Sequence, residues 1–141
     1  MSIMKNQYTQ RLFEEWKEHG NILIGVDCDD TILPYRENFT DVQKVIDLIK
    51  QCVSTGARII IYTGSAKERY DEILDYCSLV GIEVDAINEN LITPFGDNRK
   101  VYANIYLDDR SGLNEAMEIL ESALYQYRGY LQEHKHYDEV G

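Results

Sequence analysis

Two stretches of this chain are apolar almost without interruption over the length of one strand: Ile22-Leu23-Ile24-Gly25-Val26 and Ile59-Ile60-Ile61-Tyr62. A strand with one wet face alternates apolar and polar residues. A strand covered on both faces need not, and such runs belong to parallel sheets layered between other elements. Helical patterns separate the runs. A first helix is expected over about 4–18, with Leu12, Phe13 and Trp16 on one side and Gly20 as its stop. Thr40 with Gln43 reads as a capping box ahead of Val42, Val45, Ile46, Ile49 and Val53, with Gly56 ending that helix. Ser65 with Glu68 reads as a second box, opening a helix to about Leu79, followed by Gly81. Ile82-Val84-Ala86 is the third expected strand and Ala103–Leu107 the fourth, before a long helix from about Leu113 to His134. This alternation predicts an α/β fold, a three-layer Rossmann-like parallel sheet with helices on both faces. At 141 residues, one domain over 1–141 is expected.

The stripe Leu113, Met117, Leu120, Leu124, Tyr127 and Leu131 steps by four and three along the last helix. It suits packing on the sheet. The same spacing also suits a homodimer seam.

Composition removes several classes. Hydrophobic residues make up 44%, which fits a globular core rather than a disordered chain. No apolar run reaches the ~18 residues of a membrane helix, and the first twenty residues lack a secretory core. Three widely spaced cysteines (Cys28, Cys52 and Cys77) make neither a disulfide framework nor a CxxC zinc site. A cytoplasmic chain is the expectation. With 14 basic against 25 acidic residues, net charge −11, there is no basic footprint for duplex nucleic acid. The three histidines (His19, His134 and His136) lie near the ends, away from any expected active loop, which argues against a Ser/His/Asp hydrolase.

In open parallel sheets, ligands bind beyond the carboxyl ends of the strands. Here those ends carry Asp27-Cys28-Asp29-Asp30-Thr31, Thr63-Gly64-Ser65 and Asp108-Asp109-Arg110-Ser111, with Lys100 shortly before the fourth strand. Like charges ~4 Å apart repel by about 4 kcal/mol at an effective dielectric of ~20, so clustered carboxylates call for a cation. An all-oxygen set selects a hard one such as Mg²⁺. A hard cation attracts phosphate. Thr63, with the amides of Gly64 and Ser65 at an expected helix start, offers an anion site, and Lys100 adds a positive side chain. An aspartate can attack phosphorus, and a second carboxylate can protonate the leaving group and then activate water.

These segments resemble the haloacid dehalogenase superfamily. Ile24-Gly25-Val26-Asp27-Cys28-Asp29-Asp30-Thr31 is similar to its first motif, an apolar strand followed by DxDxT. Ile60-Ile61-Tyr62-Thr63-Gly64 resembles the second, Lys100 the third, and Ile105-Tyr106-Leu107-Asp108-Asp109 the fourth, all in family order. The resemblance implies Asp27 as nucleophile and Asp29 as general acid/base, its backbone carbonyl also on Mg²⁺. It implies Asp109 as the more direct metal ligand with Asp108 in support, and Thr63, Gly64 and Lys100 on the phosphate. It further implies strand order 5-4-1-2-3. The family's cap domain has no room here, since only residues 28–62 separate Asp27 from Thr63 and only 64–99 separate Thr63 from Lys100. A small capless phosphatase is therefore implied, a Mg²⁺-dependent phosphomonoester hydrolase acting on a small phosphate ester or nucleotide. The alternative is a catalytically silent metal- or nucleotide-binding regulatory or interaction protein with the same fold.

Other residues read more plainly. Asp30 reads as a solvated turn acid, Thr31 as a loop brace and Cys28 as a packed side chain. Lys67 rivals Lys100 for the phosphate. Arg36, Arg69, Arg99 and Arg110 could meet substrate but read first as surface residues, and Tyr35 and Phe39, in a flap-like loop, read as local packing ahead of stacking on a base or sugar.

Overall fold

The computed structural model describes residues 6–36, 40–91 and 101–140, with side chains as far as His134. Lys100, Arg99, Phe39 and Pro94 lie outside the described residues. The elements run α1 (Gln7–His19), β1 (Leu23–Asp27), α2 (Val42–Val53), β2 (Arg58–Tyr62), a 3₁₀ turn (Lys67–Arg69), α3 (Tyr70–Val80), β3 (Ala86–Ile87), β4 (Ile105–Leu107) and α4 (Leu113–Val140). The strands form one open parallel sheet in the order β3-β2-β1-β4, with β1 paired to β2 from Leu23↔Arg58 to Asp27↔Tyr62 and to β4 from Ile24↔Ile105 to Val26↔Leu107. The expected order 5-4-1-2-3 is present for its first four strands. Among the described residues no fifth strand follows β4, because the chain passes directly into the 28-residue α4.

The two uninterrupted apolar runs are the two inner strands, as their composition requires. Ile24, Val26, Ile59, Ile61 and Leu107 join one large core with the apolar faces of α1, α2, α3 and α4. On the other face Leu23 and Ile60 pack with Ala103, Ala86, Leu91, Val101, Tyr102 and Tyr106. There the third layer comes from the β3–β4 crossover. That face demands glycine at position 25, where an added Cβ would lie 2.9 Å from the Tyr106 ring.

The edge strands are shorter than their sequence suggests. Asp85 Oδ2 accepts from Ile59 N at 2.7 Å, and Asn104 Oδ1 accepts from Leu23 N at 2.7 Å, so side chains occupy the ladder positions where strand backbone was expected.

Two helix starts also differ from expectation. Asp41 rather than Thr40 caps α2, accepting from Lys44 N at 3.1 Å. Ser65 does not cap a helix. Its Oγ accepts from Arg69 instead, and residues 67–69 make a single 3₁₀ turn before α3 begins at Tyr70. Gly20 does stop α1, in the left-handed conformation at φ 73° that glycine adopts without cost.

The stripe of α4 is consumed within the chain: Met117, Leu120, Leu124 and Tyr127 are buried, and Tyr127 stacks on Trp16 of α1 with ring centroids 5.1 Å apart. Only its last member, Leu131, is exposed, at 41%. Among the described residues no helix is long and apolar enough to cross a membrane.

Candidate active site

The carboxyl ends of β1, β2 and β4 open into a cleft of about 710 Å³ lined by Asp27, Asp29, Asp30, Tyr35, Arg36, Thr63, Gly64, Ser65, Ala66, Glu68, Arg69, Glu72, Asp108, Asp109 and Arg110. A larger and more apolar groove of about 1010 Å³ runs beside α1, β4 and α4, but among the described residues it holds no comparable carboxylate cluster. Chemistry rather than volume therefore picks the site.

The loop after β1 is wound tightly. The amides of Thr31, Ile32 and Leu33 all donate to the carbonyl of Cys28, and the amide of Asp30 donates to the carbonyl of Leu33 at 2.7 Å. Asp30 sits in the left-handed region at φ 60°, which a short acidic side chain tolerates better than most. Contrary to expectation it is not solvated. It is buried, and its Oδ1 accepts from the amides of Tyr35 (2.9 Å) and Arg36 (3.0 Å), so its charge organises the loop.

This winding brings Asp27 to Asp108 and Asp109. One carboxylate oxygen from each of the three lies within 4.8 Å of the others. Asp108 is fixed from two sides, accepting from the Tyr62 hydroxyl at 3.0 Å and from the amide of Arg110 at 2.9 Å. Thr31, fully buried, spans the other two acids. Its Oγ1 accepts from the amide of Asp109 at 3.0 Å and points its own hydrogen toward Asp27 Oδ2 (3.3 Å) or Asp109 Oδ1 (3.4 Å). Burial, then the hydrogen bond with Asp109 and the charges of Asp108 and Asp109, push the Asp27 carboxyl up to about 7, against a smaller lowering by Thr31. In the same way burial and Asp108 push the Tyr62 phenol above its ordinary value. The three acids thus crowd together with no salt bridge to any of them among the described residues, and their all-oxygen donor set fits a hard divalent cation.

Asp29 is placed apart from this trio. Both its oxygens accept from one guanidinium, Arg69 Nη1 to Oδ2 and Arg69 Nη2 to Oδ1, each at 2.8 Å. Nη1 also donates to Ser65 Oγ at 2.8 Å, and the Tyr35 ring centroid lies 5.1 Å from the guanidinium carbon. The Asp29 hydrogen bonds hold Arg69 above its ordinary pKa. Arg69, expected on the surface, is therefore ion-paired inside the cleft, which Arg36 and Arg110 also line, with its side chain 22% exposed.

Thr63 is held by Asn88, a residue the sequence reading passed over. Asn88 Oδ1 accepts from Thr63 N and Asn88 Nδ2 donates to Thr63 O, each at 2.9 Å. The same Nδ2 donates to the Tyr70 hydroxyl at 2.6 Å, while Asn88 itself stands at φ 53°. Thr63 lines the cleft, and its Oγ1 accepts from the amide of Ser65 at 3.1 Å, which removes the Ser65 amide as an anion ligand. Gly64 is exposed on the cleft wall. Lys67 is exposed on the 3₁₀ turn and is not among the cleft residues, and Lys100 is outside the described residues. The sequence held one signal for Asn88, a turn-forming residue directly after the apolar end of the third strand. It held none for the pairing of Arg69 with Asp29.

Cys28 is buried between the two acids of its loop, and burial pushes its thiol up to about 12, as suits a packed side chain rather than a nucleophile.

No protein-family model matches the chain, and no curated protein resembles it in sequence. Among solved structures, a conserved protein from Bacteroides thetaiotaomicron is similar over 72% of this chain and 90% of its own, at 24% identity and a TM-score of 0.59. That likeness shows the fold, an open parallel α/β sheet of the Rossmann-like kind.

Proposed function

We propose that this cleft hydrolyses phosphomonoesters with the help of Mg²⁺, through an aspartyl-phosphate on Asp27. The observation that carries the reading is the convergence of Asp27, Asp108 and Asp109, from strand ends 81 residues apart in sequence (27 and 108), to ligand distances within 4.8 Å. Such crowding is costly unless a cation is shared. Asp27, Asp108 and Asp109 would hold Mg²⁺, which when bound would neutralise charge on the phosphate and keep Asp27 ionised.

The protein steps follow from the side chains. An Asp27 oxygen attacks phosphorus and the ester P–O bond breaks. The leaving oxygen takes a proton from Asp29, two residues along the same loop, which must first leave Arg69 and pick that proton up from water, because in the structure both its oxygens accept from Arg69. Asp29 then takes a proton from water, the water oxygen attacks phosphorus, and the bond to Asp27 breaks to release inorganic phosphate. The Thr63 hydroxyl donates to a phosphate oxygen throughout.

One observation favours the silent metal- or nucleotide-binding alternative: both oxygens of Asp29 are occupied by Arg69. An assay with an aryl phosphate, with and without Mg²⁺, separates the two readings. Mg²⁺-dependent release of phosphate that disappears in Asp27→Asn supports the hydrolase. Thermal stabilisation by Mg²⁺ with no turnover selects the alternative.

A further inference from the structure

Arginine presents a planar fork of donors that fits a carboxylate and a phosphate equally well, each by two parallel hydrogen bonds. In this cleft the fork of Arg69 is filled by Asp29, with both contacts at 2.8 Å. The guanidinium is aimed inward by Ser65 and covered by Tyr35, and it opens on the same cleft as Asp27 and Thr63. Its side chain and that of Asp29 are 22% and 28% exposed, so an anion from solvent can reach the pair. A purely structural ion pair gains little from such a position. Partly wet pairs contribute modestly, and nothing about holding the loop requires the pair to line the same cleft as Asp27 and Thr63.

We propose that Arg69 is the cation that binds the substrate's phosphate, by exchanging the Asp29 carboxylate for phosphate oxygens in its fork. The exchange trades two charge-assisted hydrogen bonds for two of the same kind, and Asp29, unclamped beside the bound anion, takes up a proton from water, which removes the repulsion between the two. This inference rests on the phosphatase reading for the location of the anion, and it assigns the phosphate-binding role to Arg69. It also predicts that Asp29 competes with phosphate in the resting protein.

Calorimetric titration with inorganic phosphate in the presence of Mg²⁺ tests it on five proteins: wild type, Arg69→Met, Arg69→Lys, Asp29→Asn and the double variant Arg69→Met with Asp29→Asn, each first checked for folding by circular dichroism. Arg69→Met should bind phosphate at least about tenfold more weakly, the loss expected for removing hydrogen bonds to a charged partner. Arg69→Lys, which keeps the charge without the fork, should fall between. Asp29→Asn should bind several-fold more tightly than wild type, and that gain should vanish when Arg69 is also replaced. Equal gains with and without Arg69 would reduce Asp29 to a repelling charge and overturn the exchange. Unchanged affinity in Arg69→Met, or no phosphate binding by the wild type, also overturns it. A loss of turnover in every assay would instead sink the hydrolase reading, since the phosphate titration does not depend on turnover.

Discussion

The side-chain oxygen of Thr31 accepts the amide hydrogen of Asp109 at 3.0 Å, joining the loop after β1 to the loop after β4. Its own hydrogen then faces the carboxylates of Asp27 and Asp109. One buried hydroxyl therefore bridges two acids that follow neighbouring strands, β1 and β4, far apart in the sequence. Thr31→Val keeps the shape and deletes the hydroxyl. It leaves the Asp109 amide without its acceptor, so stability should fall by about 1–2 kcal/mol. Mg²⁺ affinity should drop by roughly tenfold or more, the effect typical of losing a partner that orients metal ligands. Chemical denaturation and a Mg²⁺ titration measure both, and an unchanged metal affinity would show that Thr31 does not position the acids.

Asp27 gives the metal-free protein a pH dependence of stability. Its carboxyl is pushed up to about 7 by burial and by its two acidic neighbours. Between about pH 4 and 7 the unfolded chain has lost this proton while the folded protein keeps it, so unfolding releases a proton and stability declines as pH rises. Above 7 the penalty is constant, and below 4 it is absent. Because the group is partly solvated, the total should be of order 1–2 kcal/mol rather than the full value of the shift. Asp27→Asn should remove this slope and raise the melting temperature at pH 8 without Mg²⁺, while abolishing turnover. Melting curves of both proteins from pH 5 to 8 in a chelator provide the check.

Mg²⁺ should relieve the same crowding. At a hundredfold excess over its dissociation constant it should stabilise the wild type by about 2.7 kcal/mol. Asp109→Ala should largely lose that stabilisation, because it removes one of the three converging ligands. Thermal melts with added MgCl₂, then with excess chelator, distinguish a bound ion from a general salt effect.

Asn88 should matter more than its position just past a short edge strand suggests. Replacing it with alanine removes the two 2.9 Å contacts to Thr63 and puts a β-carbon residue without a compensating side chain at φ 53°. The cost should be about 2–3 kcal/mol from the lost hydrogen bonds and the left-handed backbone. KM for an aryl phosphate should rise more than kcat falls, since the Thr63 hydroxyl proposed to bind phosphate is displaced while Asp27 is not. A KM left at the wild-type value would separate Asn88 from the site.

How much of this could be read in the sequence depended on the range of the interaction. The apolar runs of β1 and β2 announce burial on both faces because each residue carries the signal itself. The acids at the strand ends follow from the same register. The boundaries of β3 and β4 were not legible, because Asp85 and Asn104 extend the ladder with side chains, and nothing local distinguishes that from a loop. The helix starts misread at Thr40 and Ser65 have the same cause. A hydroxyl near a helix signals a cap, yet Asp41 is the stronger acceptor in the first case, and Arg69 takes the hydroxyl in the second. Asp29 and Arg69 stand 40 positions apart, and only the folded chain shows that a charge suited to the surface is spent inside the cleft.

The outer strands β3 and β4 are two and three residues long. An exposed border of that length offers an approaching chain too few backbone donors and acceptors to start a continuous ladder. A sheet whose inner strands are among the stickiest sequences in the molecule is in this way shielded from stacking edge to edge with its copies. Lengthening either border by design should therefore be felt first as precipitation during expression, before any change in the cleft.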